Sequence, residues 1–144
     1  MTHDLKSRDT YPAWTSDIIR YRDLDPNAHV NHTSIAEYFE NGRVRLRHEH
    51  LAQLGDDILT GFVLAKLSIQ FNFELHFPGE VSVGTGLSRL GNTSYTLTQG
   101  LFQGERCVAN AEVITVYIGK ETGRPTPLSE EIRAALQKVA LIGA

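Results

Sequence analysis

The sequence predicts an α+β fold: one long helix packed on one antiparallel sheet, with a short helix closing the chain. Three observations carry this. Ile35, Phe39, Gly42 and Leu46 recur four, three and four residues apart, the spacing of one helical face. From Val63 to Phe73 the period changes to two, with Val63, Ala65, Leu67, Ile69, Phe71 and Phe73 alternating with mostly polar neighbours. Turn signals at Pro78-Gly79, Gly91-Asn92 and Gly104 then separate three further strand-like runs. The helix is the one large element able to cover the apolar face of such a sheet.

Taken in order, Met1–Thr10 is polar and reads as a loose arm, extending to about residue 13, ahead of a domain core over about 16–135. Trp14 covers either the domain's own core or a neighbouring subunit. Asp17–Arg22 is a short strand candidate, ending in the turn formers Asp23-Leu24-Asp25-Pro26-Asn27. Pro26 disfavours α geometry at Asp25, so that carboxylate sits on extended backbone just before a turn. Asn31-His32-Thr33-Ser34 opens the helix. Asn31 or Thr33 can cap it, and Ser34 with Glu37 has capping-box spacing. The helix runs through Leu51 and Leu54 and stops at Gly55. Gly42 on its apolar face costs about 1 kcal/mol of helix propensity and permits close approach of a backbone or ligand. Strands follow over Val63–Phe73, Glu80–Leu90, Thr93–Phe102 and Arg106–Ile118, four in succession. The last is apolar on both faces from Val113 to Ile118, as a central or doubly covered strand would be. Leu128–Ala140 is a second helix, with Ser129 as N-cap and Glu130-Glu131 in its first turn.

Length and composition set the class. The 144 residues are near the size of one domain and bury a substantial core without disulfides. At 41% hydrophobic and 22% charged the chain is ordinary for a globular protein, and its net charge of −3 supplies no basic field for nucleic acid. Cys107 is the only cysteine, which excludes an internal disulfide and points to a reducing compartment. The polar N-terminus shows no signal peptide, and no apolar run approaches the ~20 residues that span a bilayer. The expectation is a cytoplasmic protein with no membrane contact.

Several chemistries have no support. His29 and His32 are three apart and His48 and His50 two apart, without the further ligands a zinc site needs, so no metal is expected. There is no G-x-S-x-G elbow, Walker A, G-x-G-x-x-G or C-x-x-C. Cys107 lies in a strand and reads as inert packing. What remains is Asp25, placed where a strand hands over to a helix N-terminus. The first backbone N–H groups of that helix are unpaired and carry positive partial charge. They suit a carbonyl oxygen becoming an oxyanion, while the carboxylate can activate water or attack the carbonyl itself. On local chemistry alone, Asp, Asn and Thr at such a place are more simply caps and turn formers.

The run Arg20-Tyr21-Arg22-Asp23-Leu24-Asp25-Pro26-Asn27-Ala28-His29-Val30-Asn31-His32, followed by Phe39-Glu40-Asn41-Gly42-Arg43, resembles the hotdog-fold acyl-CoA thioesterases of the 4-hydroxybenzoyl-CoA thioesterase type. Their usual run is R-Y-x-D-x-D-x-x-G-H-V-N-N, then F-E-x-x-R on an aromatic helix. The strands resemble theirs too, in P-G-E, V-x-V-G-T, R-L-G-N-T-S-Y and T-G-R-P-T-P-L, so the likeness spans Ser16 to Ala135. It implies a long helix wrapped by a curved antiparallel sheet, a homodimer or homotetramer, and a site at the subunit interface. It implies Asp25 as general base or nucleophile on an acyl-CoA thioester, the His32 backbone N–H as oxyanion contact, and Asn31 and His29 lining or bracing the site. Relatives with another layout use a carboxylate further along the helix, which makes Glu40 the alternative, unless it is a buried charge paired with Arg43. No cofactor is implied, coenzyme A being part of the substrate. Lys66, Arg89, Arg106 and Arg124 are candidates for its phosphates. Three departures stand out: Ala28 for the usual glycine, His32 for asparagine and Ile35 for tyrosine. They leave open a non-catalytic acyl-CoA or acyl-carrier binding protein, or a dehydratase pairing His29 with Glu40.

Overall fold

The computed structural model describes residues 3–143, without side-chain detail at 56 and 57. Its elements are β1 (Ala13–Ile18), α1 (His32–Leu51), α2 (Asp56–Leu59), β2 (Phe62–Phe71), β3 (Glu80–Leu90), β4 (Ser94–Gln103), β5 (Arg106–Tyr117) and α3 (Glu130–Gln137). The five strands form one antiparallel sheet in the order β1-β3-β4-β5-β2, with the long helix α1 against it. This is the hotdog arrangement that the resemblance implied. No described helix is long and apolar enough to cross a membrane.

Helix α1 forms where the apolar spacing placed it. Ile35, Phe39, Gly42 and Leu46 are all buried. The Asn31 side chain accepts from the Thr33 N–H at 2.8 Å and caps the helix, so Asn31 rather than Thr33 has this role. Ser34 lies inside the helix and opens no capping box. The α-helix ends at Leu51, a 3-10 turn carries Ala52–Leu54, and Gly55 takes φ 119° as the terminator. At Gly42 the helix comes so close to the sheet that an added Cβ would lie 2.6 Å from Val83 Cγ1. A buried polar cluster sits beside this contact: Arg43 Nη1 donates to Gln99 Oε1 at 3.2 Å, and Gln99 Nε2 donates to the Phe39 carbonyl and Thr85 Oγ1. Burial and the neighbouring Arg47 charge pull the Arg43 guanidinium below its usual range.

Three expectations need correction. The first strand is Ala13–Ile18, not Asp17–Arg22. Asp23 Oδ2 accepts from the Arg20 N–H at 2.8 Å, which closes a 3-10 turn over Tyr21–Asp23 and takes these residues out of the sheet. The N-terminal arm is not loose over the residues described, Met1 and Thr2 lying outside them. Tyr11 is buried against Phe102 and Cys107 on the outer face of the sheet, and its hydroxyl donates to the Leu5 carbonyl at 2.6 Å. Trp14 packs in the same cluster, so it covers this chain's own core. Strands β3, β4 and β5 pair in sequence order, and β2 does not join β3. β2 pairs with β5 at one edge of the sheet, and residues 72–79 cross beneath the start of α1 to reach β3.

The third correction concerns the apolar face of β2. A bulge between Leu64 and Lys66 adds a residue and reverses the alternation, placing Leu64 with Leu67, Ile69 and Phe71, and Val63 on the other face. Helix α1 lies chiefly over β1, β3 and β4 and covers this strand only in part, through the His32 ring on Phe71 and the packing of Ile69 against the α1 core. Leu64 is 50% exposed and Phe71 42%. Beside the Tyr11 cluster the core has two further parts: Tyr38 and Phe39 of α1 pack with Val83, Leu101 and Val113, while Ile132 and Leu136 of α3 pack with Leu51, Tyr95 and Leu97. Ser129 caps α3 by accepting from the Ile132 N–H, as its sequence signature indicated.

Candidate active site

Between β1 and α1 the chain makes a tight loop that the Asp25 side chain builds. Asp25 Oδ1 accepts from the N–H groups of Asn27 at 2.9 Å and His29 at 3.1 Å. The Asp25 N–H donates to the His29 carbonyl at 2.8 Å, and the Ala28 N–H to the Asp25 carbonyl at 3.0 Å. The loop needs left-handed backbone at Ala28, whose φ is 63°. The glycine usual in the resembled motif would adopt this without strain. One carboxylate oxygen thus organises the turn. Among the described residues nothing hydrogen-bonds to the other, Oδ2.

A second anchor lies below the loop. The buried Asp23 carboxylate accepts from the Tyr38 hydroxyl at 2.6 Å, and the Asp23 carbonyl accepts from the Asn31 N–H at 2.7 Å. Burial alone would push this carboxyl up. The Tyr38 and Arg20 hydrogen bonds and the Arg20 and Arg22 charges outweigh it and hold Asp23 below the usual carboxylate range. Burial and the adjoining Asp23 carboxylate push the Tyr38 hydroxyl up.

Asp25 opens into a cavity of about 290 Å³, lined also by His29, His32, Ile35, Phe71, Phe73 and Glu74. The helix N-terminus faces the same region. Among the described residues, the N–H groups of His32 and Ser34 have no hydrogen-bond partner, while the Thr33 N–H is taken by Asn31. The His32 ring does not point at Asp25; it stacks on Phe71, with centroids 4.1 Å apart and planes at 22°. Asn31 braces the helix rather than lining the cavity. Chemically this is a carboxylate oxygen free to take a proton, beside donors able to hold an oxyanion, in a partly apolar recess.

The structure separates Glu40 from this group. Glu40 is exposed and lines another depression, of about 260 Å³, with Asp17, Arg20, Arg22 and Glu37. It is not a buried charge paired with Arg43, and no ion pair joins them among the described residues. Nor does His29 meet Glu40. His29 Nε2 stands 3.4 Å from Glu74 Oε2, and His76 Nε2 approaches the same oxygen at 3.5 Å. Sequence reading did not single out Glu74, His76, Phe71 or Phe73 for the site. The strand alternation marked the two phenylalanines as apolar, and only the crossing of residues 72–79 brings them to Asp25. Of the four basic candidates for phosphates, Arg106 does not line the cavity itself but lies over Phe73, which does, its guanidinium 4.0 Å from the centroid of that ring.

Comparison with known proteins adds the family. Curated proteins returned no match. A predicted thioesterase from Bacillus stearothermophilus superposes with a TM-score of 0.83 at 25% identity, covering 92% of this chain and 98% of that one. A thioesterase from Thermus thermophilus, complexed with coenzyme A and Zn, gives 0.79 at 27% identity over 90% and 95%. The probable thioesterase YbaW from Escherichia coli gives 0.79 at 22% over 90% and 99%, a likeness of fold. The model of the thioesterase-like superfamily matches residues 19–136, from the end of β1 through α3, and the chain belongs to that family.

Proposed function

We propose that this protein hydrolyses an acyl-CoA thioester to the free acid and coenzyme A, with Asp25 as the catalytic carboxylate. The observation that supports this best is the Asp25 carboxylate with one free oxygen, opening into a cavity beside unpartnered N–H groups at the start of α1. Asp25 Oδ2 takes a proton from water as its oxygen attacks the thioester carbon. The His32 N–H receives the developing oxyanion. Collapse breaks the carbon–sulfur bond, and the proton passes to the departing thiolate. In the nucleophilic variant Oδ2 attacks directly, and water then cleaves the resulting anhydride. Label found in Asp25 after single-turnover hydrolysis in 18O-labelled water identifies the second route with water attacking the aspartyl carbonyl, because the first leaves none in the protein.

A second copy of the chain completes the site in this reading. The partly exposed apolar face of edge strand β2 supports it, since Phe71 belongs both to that face and to the cavity wall. Arg106 then serves the phosphates of coenzyme A at the cavity rim.

The test is hydrolysis of a panel of short, medium and aromatic acyl-CoAs by the wild type and by Asp25→Asn. The asparagine oxygen still accepts the Asn27 and His29 N–H groups, so the loop is retained while the proton acceptor is lost. Activity should fall by about 10²–10⁴-fold. Full activity in the variant rejects the role of Asp25, and calorimetric binding of acyl-CoA without turnover by the wild type rejects the hydrolase.

A further inference from the structure

Beyond the thioester chemistry, we infer that His29, Glu74 and His76 form a binding site for a zinc-like divalent transition metal at the rim of the cavity. The three residues come from two separate segments. His29 ends the Asp25 loop. Glu74 and His76 lie on the crossing segment between β2 and β3, which is tied to that loop by the Val30 N–H donating to the Leu75 carbonyl at 3.1 Å. Buried Leu75 between them points into the core and leaves its two neighbours facing outward together.

The geometry suits a metal ion. Donors around tetrahedral zinc, at about 2.0–2.1 Å from the ion, stand about 3.4 Å from one another. Glu74 Oε2 lies 3.4 Å from His29 Nε2 and 3.5 Å from His76 Nε2, and the three ligand atoms fall within 4.8 Å of one another. Two edges of the donor triangle already have the required length. The third is at most 4.8 Å, and His76, whose side chain is 61% exposed, can turn to close it. The imidazoles meet edge to face rather than stacked, centroids 5.3 Å apart and planes at 81°, and both Nε2 atoms approach the same Glu74 oxygen. Each then keeps its proton on Nδ1, the tautomer that metal ligation through Nε2 needs. Two imidazoles and one carboxylate suit zinc and its transition-metal neighbours rather than magnesium or calcium, which prefer oxygen donors. Water fills the remaining coordination positions. A bound ion would clamp the Asp25 loop to the crossing segment.

The experiment is calorimetric titration of the untagged protein with zinc chloride, with magnesium chloride as the comparison. We expect one zinc per chain, no magnesium heat, and affinity reduced about tenfold or more in His76→Ala and in Glu74→Gln, taking the loss seen for outer-sphere partners as the lower bound. His50→Ala, on the far end of α1, should bind as the wild type does. Because both rim variants change exposed side chains, circular dichroism should match the wild type. Zinc should also raise the melting temperature of the wild type and not of His76→Ala, as binding to the folded state requires. Cobalt should give the visible absorption of a four-coordinate site in the wild type alone. No zinc binding by the wild type, or affinity unchanged in both rim variants, overturns the inference. None of these readouts depends on thioester hydrolysis.

Discussion

The Tyr38 hydroxyl donates a 2.6 Å hydrogen bond to Asp23 Oδ2 and so joins the second turn of α1 to the loop that carries Asp25. Both partners are buried. Tyr38→Phe removes the donor and leaves the carboxylate with the Arg20 N–H as its remaining bond from this loop. Stability should fall by about 1–3 kcal/mol in urea denaturation. An unchanged midpoint would mean that water replaces the hydroxyl at no cost. The same pair sets an acid limit. Asp23 is held below its unfolded value, about 3.9, so its contribution is fully present above that pH and is lost as pH falls through the lower folded value. The difference between wild type and Tyr38→Phe should therefore shrink in that acid window.

Ala28 is the one non-glycine residue with positive φ among the described residues, at 63°. Left-handed backbone costs an L-residue about 1–2 kcal/mol, while glycine costs about 0.4–1 kcal/mol through the unfolded chain. Ala28→Gly should thus stabilise the fold by up to about 1 kcal/mol, read from the denaturation midpoint. A clear loss of stability would show that the methyl group makes a favourable contact outweighing the strain.

Gly42 tests the seating of α1. Alanine gains about 1 kcal/mol of helix propensity. Its Cβ would meet Val83 Cγ1 at 2.6 Å and Gln99 Nε2 at 3.0 Å, and overpacking typically costs about 1–3 kcal/mol. The contact should win, and Gly42→Ala should melt lower than the wild type. Recovery of stability on adding Val83→Ala would locate the clash at this pair.

The partly exposed apolar face of β2 bears on assembly. Sedimentation equilibrium should show the wild type as a dimer or larger species at micromolar concentration. Leu64→Lys places a charge on the exposed apolar face and should weaken association by about tenfold or more, since about 1.4 kcal/mol suffices for that factor. A wild-type protein that stays monomeric at these concentrations would exclude a site shared between copies.

Much of this molecule was legible along the chain. The 4-3-4 spacing identified the buried face of α1, Gly55 marked its end, and Ser129 marked the start of α3. The Asp25 motif pointed to the loop whose hydrogen bonds the structure displays. These are properties of residues within a few positions of one another, and local pattern reports them. The first strand was misplaced because the Asp23 side chain takes the Arg20 N–H, a contact that turn composition suggests but does not locate.

What tertiary structure decided involves residues far apart in sequence. Pairing β2 with β5 made β2 an edge, and the bulge after Leu64 changed which of its side chains face inward. The crossing of residues 72–79 then brought Phe71, Phe73, Glu74 and His76 to the Asp25 loop. The turns of α1 carried Glu40 away from it. Strand order and register depend on which distant backbone groups satisfy each other, and a period of two is the same for a central strand as for an edge. The sequence by itself therefore determined the helix, its buried face and the carboxylate at its start. The folded sheet decided what surrounds that carboxylate.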